Sequence, residues 1–249
     1  MKQLLLIGIG PGDPRQITLE AIDALQHADV FFLIDKGEVK RELIEARRQL
    51  IERHARPGSY RVVQIDDAQR DSQASDYRKA VRDWHEQRAV LYARLIEDEL
   101  AVGEVGAFLL WGDPGLYDST LRLLDRVRQR GIDIALRVIP GISSVQALAA
   151  RHAVPLNDTS GLLTIAPGRR LGELAEIDNV LVMLDGRNAF ERIAADGLFI
   201  YWGAYLGSED EVLVSGPLHE VKERIAQTRK EARARKGWIM DTYLLRRMQ

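Results

Sequence analysis

The chain has no cysteine among its 249 residues, and this absence excludes disulfide bonds, thiolate nucleophiles and cysteine-ligated metals. No apolar stretch approaches the length that a bilayer span requires, and the first residues form a short strand pattern rather than a secretory signal. Basic and acidic residues nearly balance, 35 against 37, so the composition does not call for a nucleic-acid partner. We therefore expect a cytoplasmic protein that binds neither membrane nor nucleic acid.

The residues that are present predict a globular α/β protein. Hydrophobic residues make up 46% of the chain, enough to bury a sizeable core. The five histidines show no metal-ligand spacing, so we expect no metal site. Proline, asparagine, aspartate and glycine cluster between His152 and Gly161, which is typical of a linker. This break predicts two domains, residues 1–154 and residues 155–249.

Three apolar, strand-like runs each end in a turn rich in glycine or proline, and a helical pattern follows each turn. The turns are Gly8–Pro14, Trp111–Tyr117 and Pro140–Ser144. Ligands of open α/β sheets bind at the carboxyl ends of the strands, which is where these turns lie. Asp113 is then a carboxylate at a loop tip, with two interpretations left open. It either caps its own turn or accepts hydrogen bonds from a ligand.

Two familiar alternatives fit these turns less well. Gly8 and Gly10 begin a dinucleotide-binding pattern, but Asp13 occupies the third glycine position and two prolines interrupt the turn. Ser143 and Ser144 stand at a helix entrance, where they either cap the helix or hold a ligand. Neither serine has an evident histidine base, so the pattern does not favour a nucleophilic triad.

Taken together, the three turns resemble those of the tetrapyrrole methylase family, the S-adenosylmethionine enzymes of cobalamin and sirohaem synthesis. The matching motifs are Gly-Ile-Gly-Pro-Gly-Asp-Pro at Gly8–Pro14, Gly-Asp-Pro-x-x-Tyr at Gly112–Tyr117 and Pro-Gly-Ile-Ser-Ser at Pro140–Ser144. The family often has Thr-Ser where this chain has Ser143-Ser144, which keeps both hydroxyls. The resemblance extends over nearly the whole chain.

The resemblance implies a fold, a cofactor and a set of residues that bind it. The fold is the two-domain tetrapyrrole methylase fold, with a mixed sheet flanked by helices in each domain, usually as a homodimer. S-adenosylmethionine would be held between the domains and leave as S-adenosylhomocysteine. The implied cofactor residues are Pro11, Trp111, Gly112, Asp113, Leu116, Ser143 and Ser144 from the first domain, and Leu184, Tyr205 and Thr242 from the second.

The resemblance also implies a substrate and a reaction. The segments Asp35–Gly37, Tyr77–Leu100 and Gly237–Tyr243 indicate the member that methylates C-1 of precorrin-5 and releases acetate. Methyl transfer from a sulfonium depends mainly on positioning, whereas acetate release needs a base that activates water. The catalytic candidates are Asp13, Asp35 and Tyr117, and the candidates for contact with the tetrapyrrole and its carboxylates are Gly10, Gly12, Arg15 and Arg151.

Three other functions remain as alternatives. The first is another tetrapyrrole methylase, acting on a different precorrin carbon, on uroporphyrinogen or on a translation component. The second, from another class, is an NAD-binding oxidoreductase. The third is a protein that carries a corrinoid without acting on it.

Overall fold

The computed structural model describes residues 1–35, 37, 41–68 and 76–248, apart from the side chains of Tyr77, Arg78 and Val81. Lys36 of the Asp35–Gly37 segment lies outside the described residues. The chain forms two compact units. Unit 1 comprises Met1–Gly10 and Pro14–Gly141, and unit 2 comprises Pro11–Asp13 and Ile142–Gln249. No helix in the described part of the chain is both long enough and apolar enough to cross a membrane.

Unit 1 is a parallel sheet covered by helices. Its strands are β1 (Lys2–Gly8), β2 (Val30–Asp35), β3 (Arg61–Asp66), β4 (Val105–Leu110) and β5 (Ile134–Ile139), in the order β3-β2-β4-β1-β5. Its helices are α1 (Leu19–His27), α2 (Arg41–His54), α3 (Tyr77–Glu99) and α4 (Thr120–Gln129), with a 3-10 turn at Pro14–Gln16. The expectation of a mixed sheet is wrong for this unit, because all four strand pairings are parallel. Helical crossovers join its successive strands, and such connections return the chain in the same direction.

Residues of β1 show how the two faces of this sheet are covered. Leu4 and Leu6 pack in the core that α3 and α4 complete, whereas Leu5 and Ile7 pack in the core under α1 and α2. The chain leaving β1 therefore turns to one face, and the chain leaving the adjacent β4 turns to the other. Such a reversal is the place where open α/β sheets bind ligands.

Unit 2 is built on a mixed sheet, as expected. Its strands are β6 (Thr164–Pro167), β7 (Asn179–Met183), β8 (Leu198–Ala204), β9 (Val212–Pro217) and β10 (Asp241–Arg247), in the order β6-β7-β10-β8-β9. The β6–β7 pair is parallel and the other pairs are antiparallel. Two helices, α5 (Ser144–His152) and α6 (Leu218–Lys236), contact this sheet, and 3-10 turns occur at Gly168–Glu173 and Ala189–Arg192.

The two units divide earlier along the chain than the boundary expected after residue 154. Helix α5 belongs to unit 2 because it packs against β8, β9 and β10. The short segment Pro11–Asp13 also belongs to unit 2, although it lies between β1 and α1 in sequence. A linker-like composition marks an exposed loop, but which sheet a helix packs on is decided by contacts distant in sequence.

A carboxylate before β4 makes the stability of unit 1 depend on pH. Two nitrogens of Arg61 donate to Glu104 at 2.7 and 2.8 Å, and the Ala101 N–H donates to the same carboxylate at 2.8 Å. The hydrogen bonds from Arg61, and next the one from Ala101, lower the pKa of Glu104 to about 2. The pair joins the start of β3 to the turn before β4.

We expect Glu104→Gln to destabilise the protein modestly at neutral pH. The folded-state pKa lies below the unfolded-state value, so this stabilisation is present above the ordinary glutamate pKa and is lost as pH falls toward about 2. Urea unfolding of wild type and variant from pH 7 down to pH 3 should show the difference narrowing with acidification. A constant difference would mean that Glu104 does not carry this pH dependence.

Candidate functional site

The turns after β1, β4 and β5 meet through main-chain contacts between glycines. The Gly112 N–H donates to Gly10 O at 2.8 Å, and the Gly10 N–H donates to Gly112 O at 3.3 Å. A Cβ on Gly141 would lie 2.3 Å from Gly112 O, and a Cβ on Gly8 would lie 2.6 Å from Gly141 N. Gly10 and Gly112 also have φ values of 83° and 70°, which favour glycine. Only glycines allow the backbones to approach this closely.

Asp113 connects two of these turns. Its Oδ1 accepts a hydrogen bond from the Gly115 N–H at 2.8 Å, and its Oδ2 accepts one from the Gly141 N–H at 2.9 Å. The side chain therefore caps its own turn and also holds the turn after β5. Each carboxylate oxygen has a second acceptor position, so this role is compatible with contact to a ligand.

The neighbours of Asp113 in the same turn have polar or strained features. The indole nitrogen of Trp111 is buried and has no hydrogen-bond partner among the described residues. Tyr117 is exposed, and its φ of 54° is left-handed. The Leu116 N–H donates to Asp113 O at 3.3 Å and closes the turn. Left-handed backbone at a residue other than glycine costs about 1–3 kcal/mol and is enriched at functional sites.

Asp35 lies at the carboxyl end of β2, the strand that pairs with β4 on the side away from β1. Its Oδ1 accepts from the Gly37 N–H at 2.8 Å, and its Oδ2 accepts from Gln64 Nε2 at 2.9 Å. Arg48 in turn donates to Gln64 Oε1 at 2.6 Å. Asp35 therefore has a structural role at the end of its strand, at the same edge of the sheet as the Trp111–Tyr117 turn.

Within unit 2, Pro11–Asp13 packs closely on the turn after β8. A Cβ on Gly12 would lie 2.7 Å from Leu206 O. Asp13 is buried, and its Oδ2 is 3.9 Å from an Arg151 guanidinium nitrogen. Arg151 also binds Glu211 at 2.9 Å, so its charge is balanced inside the unit. Arg15 is exposed in the 3-10 turn of unit 1.

Ser143 caps helix α5. Its Oγ accepts a hydrogen bond from the Val145 N–H at 3.1 Å, and Gln146 Oε1 accepts one from the Ser143 N–H at 3.1 Å. This is the reciprocal arrangement of a capping box. Ser144 is the first residue of the helix and is partly exposed. The capping interpretation therefore holds for Ser143, which is buried.

The three residues expected around the adenosine share one edge of the sheet of unit 2. Leu184 follows β7, Tyr205 follows β8 and Thr242 is the second residue of β10, which runs antiparallel to both. Leu184 and Tyr205 have left-handed φ values of 53° and 50°. Leu184 is 57% exposed, unusual for a large apolar side chain, whereas Thr242 is buried and donates to Val182 O at 2.8 Å. Left-handed backbone at two positions of one edge is the kind of strain that is enriched at functional sites.

A buried ionic network, which the sequence pattern did not reveal, lies at this edge. Arg229 of α6 pairs with Asp241 of β10 at 2.8 Å, with side-chain exposures of only 7% and 3%. The Trp202 indole N–H donates to Asp241 Oδ2 at 2.8 Å. Burial raises the pKa of Asp241, and the neighbouring Arg229 opposes this shift. The pair connects the long charged helix to the strand that carries Thr242.

Asp185, the residue after Leu184, extends this network. Its carboxylate accepts from the Arg187 N–H at 3.0 Å, the Ala189 N–H at 2.7 Å and the Tyr243 hydroxyl at 2.7 Å. Arg229 also donates to the main-chain oxygen of Asp185. Burial, and next the charge of Asp185, raise the pKa of Tyr243, so its hydroxyl stays protonated as a donor. The network holds the turn that contains the strained Leu184.

These features fit an S-adenosyl cofactor of the kind that the resemblance implies. Glycine turns let a ligand approach the backbone closely in unit 1, and the buried Trp111 indole N–H lacks a partner among the described residues. The exposed Leu184 gives unit 2 an apolar surface against which an aromatic base can pack. The fold is that of an α/β protein with tight glycine turns at the carboxyl ends of the strands of its parallel sheet.

Comparison with known proteins identifies the family. The sequence model of the Tetrapyrrole (Corrin/Porphyrin) Methylases matches residues 3–222. The chain is 47% identical to the Precorrin-6A synthase [deacetylating] of Sinorhizobium sp, over 99% of this chain and 96% of that protein. The chain therefore belongs to the tetrapyrrole methylases, and the resemblance inferred from the three turns is confirmed.

Solved structures agree with this assignment. The cobalamin synthesis related protein CobF of Corynebacterium diphtheriae superposes with a TM-score of 0.87 at 37% identity, covering 100% of both chains. The uroporphyrin-III C-methyltransferase of Thermus thermophilus, solved in complex with S-adenosyl homocysteine, has a TM-score of 0.61 at 17% identity, with coverage of 98% and 92%. At that identity the second likeness concerns the fold alone. The expected two-sheet α/β fold class is confirmed.

Proposed function

We propose that this chain is an S-adenosylmethionine-dependent C-methyltransferase of cobalamin biosynthesis that methylates C-1 of precorrin-5 and releases acetate, giving precorrin-6A. One observation carries the proposal, namely the full-length similarity to the Sinorhizobium precorrin-6A synthase. The tight glycine turns of unit 1 and the strained edge of unit 2 support it, since both suit a rigid binding site.

The residues proposed to hold the cofactor are those that the resemblance implied. Gly112 and Asp113 offer main-chain and carboxylate groups in a turn fixed by the Gly10 and Gly141 backbones. Leu184 offers an exposed apolar surface. Bound S-adenosylmethionine supplies an electrophilic methyl group on a sulfonium whose leaving thioether is neutral. The remaining proposed contacts are Pro11, Trp111, Leu116, Ser143, Ser144, Tyr205 and Thr242.

Catalysis of the methyl transfer then depends mainly on orientation. A rigid site that aligns the nucleophilic carbon with the methyl group can lower the activation barrier by up to about 7–11 kcal/mol. The reason is that the translational and rotational freedom of the reactants is lost on binding, before the reaction step. The main-chain bridge between Gly10 and Gly112 and the Asp113 clamp on Gly141 supply that rigidity. No proton needs to move in the transfer itself, so no acid or base is assigned to it.

Acetate release makes a different demand. Water adds to the acetyl carbonyl, the carbon–carbon bond to the macrocycle breaks, and the electron pair stays with the ring as acetate leaves. A base that takes the proton of water assists this step. Asp13, Asp35 and Tyr117 remain the proposed candidates.

A double assay tests the proposal. Purified protein is incubated with methyl-labelled S-adenosylmethionine and precorrin-5, and both labelled corrinoid and free acetate are measured. We expect one acetate per methyl transferred. If one of the three candidates is the base, its alanine variant should still transfer the methyl group but release less acetate. Label in another tetrapyrrole without acetate would indicate a different methylase of the family. Binding of NADH but not of S-adenosylhomocysteine would favour an oxidoreductase.

Two further properties belong to the same proposal. The resemblance implies a homodimer, which sedimentation of the purified protein would test. A cytoplasmic location is consistent with the composition and with a biosynthetic methyltransferase. The proposed tetrapyrrole contacts are Gly10, Gly12, Arg15 and Arg151.

A further inference from the structure

Arg47 is a partly buried cation of unit 1 that the proposed site has not used. It lies on α2, where its Nη1 donates to Leu43 O at 2.6 Å. Its Nε donates to Leu109 O at 2.9 Å, near the end of β4. Both acceptors are neutral main-chain carbonyls. In the part of the chain that the structure describes, no carboxylate lies within ion-pair distance of Arg47.

A fully buried arginine of the same unit, Arg88, has a purely structural role. Arg88 of α3 pairs with Asp67 at 2.8 Å, with exposures of 4% and 9%, and also contacts Ser119 and Tyr92. Its charge is therefore compensated inside the protein. Burial lowers the pKa of Arg47 to about 10, with Asp118 at longer range offsetting part of that effect. The Arg47 charge is thus partly shielded from water and has no carboxylate within ion-pair distance among the described residues, so an anionic ligand would stabilise it.

The position of Arg47 indicates where that anion binds. Its guanidinium carbon is 5.9 Å from the ring centroid of Trp111, the first residue of the turn after β4. The Trp111 indole N–H is itself buried and has no partner among the described residues. A buried indole donor without a described acceptor and a guanidinium without a described carboxylate partner therefore lie together at the carboxyl edge of the parallel sheet. A carboxylate suits them, since a guanidinium binds it through paired hydrogen bonds.

We propose that Arg47 binds a side-chain carboxylate of the tetrapyrrole substrate at this edge. This inference rests on the proposed function, because a corrinoid precursor carries many carboxylates. The cofactor has one carboxylate, whose charge its own ammonium group offsets, so it has less need of this cation. Arg151 is a weaker candidate for the same role, because Glu211 and Asp13 already balance its charge.

The test compares Arg47→Gln and Arg47→Lys with Arg53→Gln, an exposed arginine on the same helix. We expect Arg47→Gln to raise the KM for precorrin-5 about 10- to 100-fold, the range for a hydrogen bond to a charged group. Its affinity for S-adenosylhomocysteine, measured by calorimetry, should equal that of wild type. Arg47→Lys keeps the charge, and its KM for precorrin-5 should lie between those of wild type and Arg47→Gln. Arg53→Gln should match wild type in both the KM and the cofactor affinity.

A direct binding measurement covers the case in which Arg47→Gln fails to fold. Cobyrinic acid, a corrinoid polycarboxylate, should bind wild type more tightly than its fully esterified derivative, and Arg47→Lys should reduce this preference. An unchanged KM and an unchanged preference would overturn the proposal, as would a parallel loss of S-adenosylhomocysteine affinity. If wild type methylates another tetrapyrrole, the proposed function fails, but the same KM comparison with that substrate still decides the role of Arg47.

Discussion

Replacing Gly141 by alanine is expected to disrupt the junction of the three glycine turns and to remove measurable cofactor binding. The new Cβ would lie 2.3 Å from Gly112 O and 2.8 Å from Gly8 C. All of these neighbours are main-chain atoms at the ends of central strands, so no side chain can rotate away. We expect a loss of at least about 3 kcal/mol in the free energy of unfolding.

Urea denaturation and calorimetry with S-adenosylhomocysteine check this prediction. Gly172→Ala is the control, because a Cβ there meets nothing within 4 Å and its φ is not positive. That variant should stay within about 0.5 kcal/mol of wild type. If Gly141→Ala unfolds at the same urea concentration as the control and binds the cofactor normally, the backbones of the three turns do not approach each other as closely as described.

These turns could be located from sequence because proline and glycine restrict the backbone locally. Pro114 and Gly115 are adjacent to Asp113, so a turn there requires no knowledge of the fold. What could not be predicted is the second bond of Asp113, to the Gly141 N–H, 28 residues further along the chain. The same holds for the Gly10–Gly112 bridge. A local pattern identifies a turn, but only the assembled sheet shows which turns touch.

Charged residues were harder to interpret than glycines. The pattern of α2 is mostly charged and predicts a solvated helix, and most of its charges are indeed exposed or partly exposed. Arg47 is partly buried, and it differs from an ordinary solvated charge because its Nε reaches Leu109 O near the end of β4. Arg229 in the basic helix α6 is an exception, since it is buried against β10. Helical spacing alone does not distinguish a charge that faces water from one that meets a buried partner.

Substitutions in the Arg229–Asp241 pair should have the second large effect. Removing one member of a buried pair leaves an uncompensated charge, so Arg229→Met should cost about 3–5 kcal/mol in the free energy of unfolding. Asp241→Asn should cost a similar amount, because it leaves the buried Arg229 guanidinium without its carboxylate partner. The double variant should lose less than the sum of the two, because neither charge is then buried alone. Guanidinium denaturation of the four proteins gives the coupling energy directly.

An exposed pair provides the matched control. Arg170 and Glu173 lie 2.8 Å apart with exposures of 64% and 59%, and Glu173→Gln should change stability by no more than about 1 kcal/mol. Equal effects at the two pairs would mean that burial does not determine the contribution of Asp241.

The pH dependence of Arg229→Met carries the same argument further. Burial raises the pKa of Asp241, and Arg229 opposes that shift, so removing Arg229 should raise this pKa more. A carboxyl group whose pKa is raised in the folded state contributes stability at low pH and loses it as pH rises through the folded-state pKa. The difference between wild type and Arg229→Met should therefore widen from acid to neutral pH, and the double variant, which has no carboxylate, should not show this widening.

Because the pair connects α6 to the strand beside the strained Leu184, the same variants should also weaken S-adenosylhomocysteine binding at a pH where they remain folded. A variant that is destabilised but binds the cofactor normally would separate the stability of unit 2 from the shape of its ligand-binding edge.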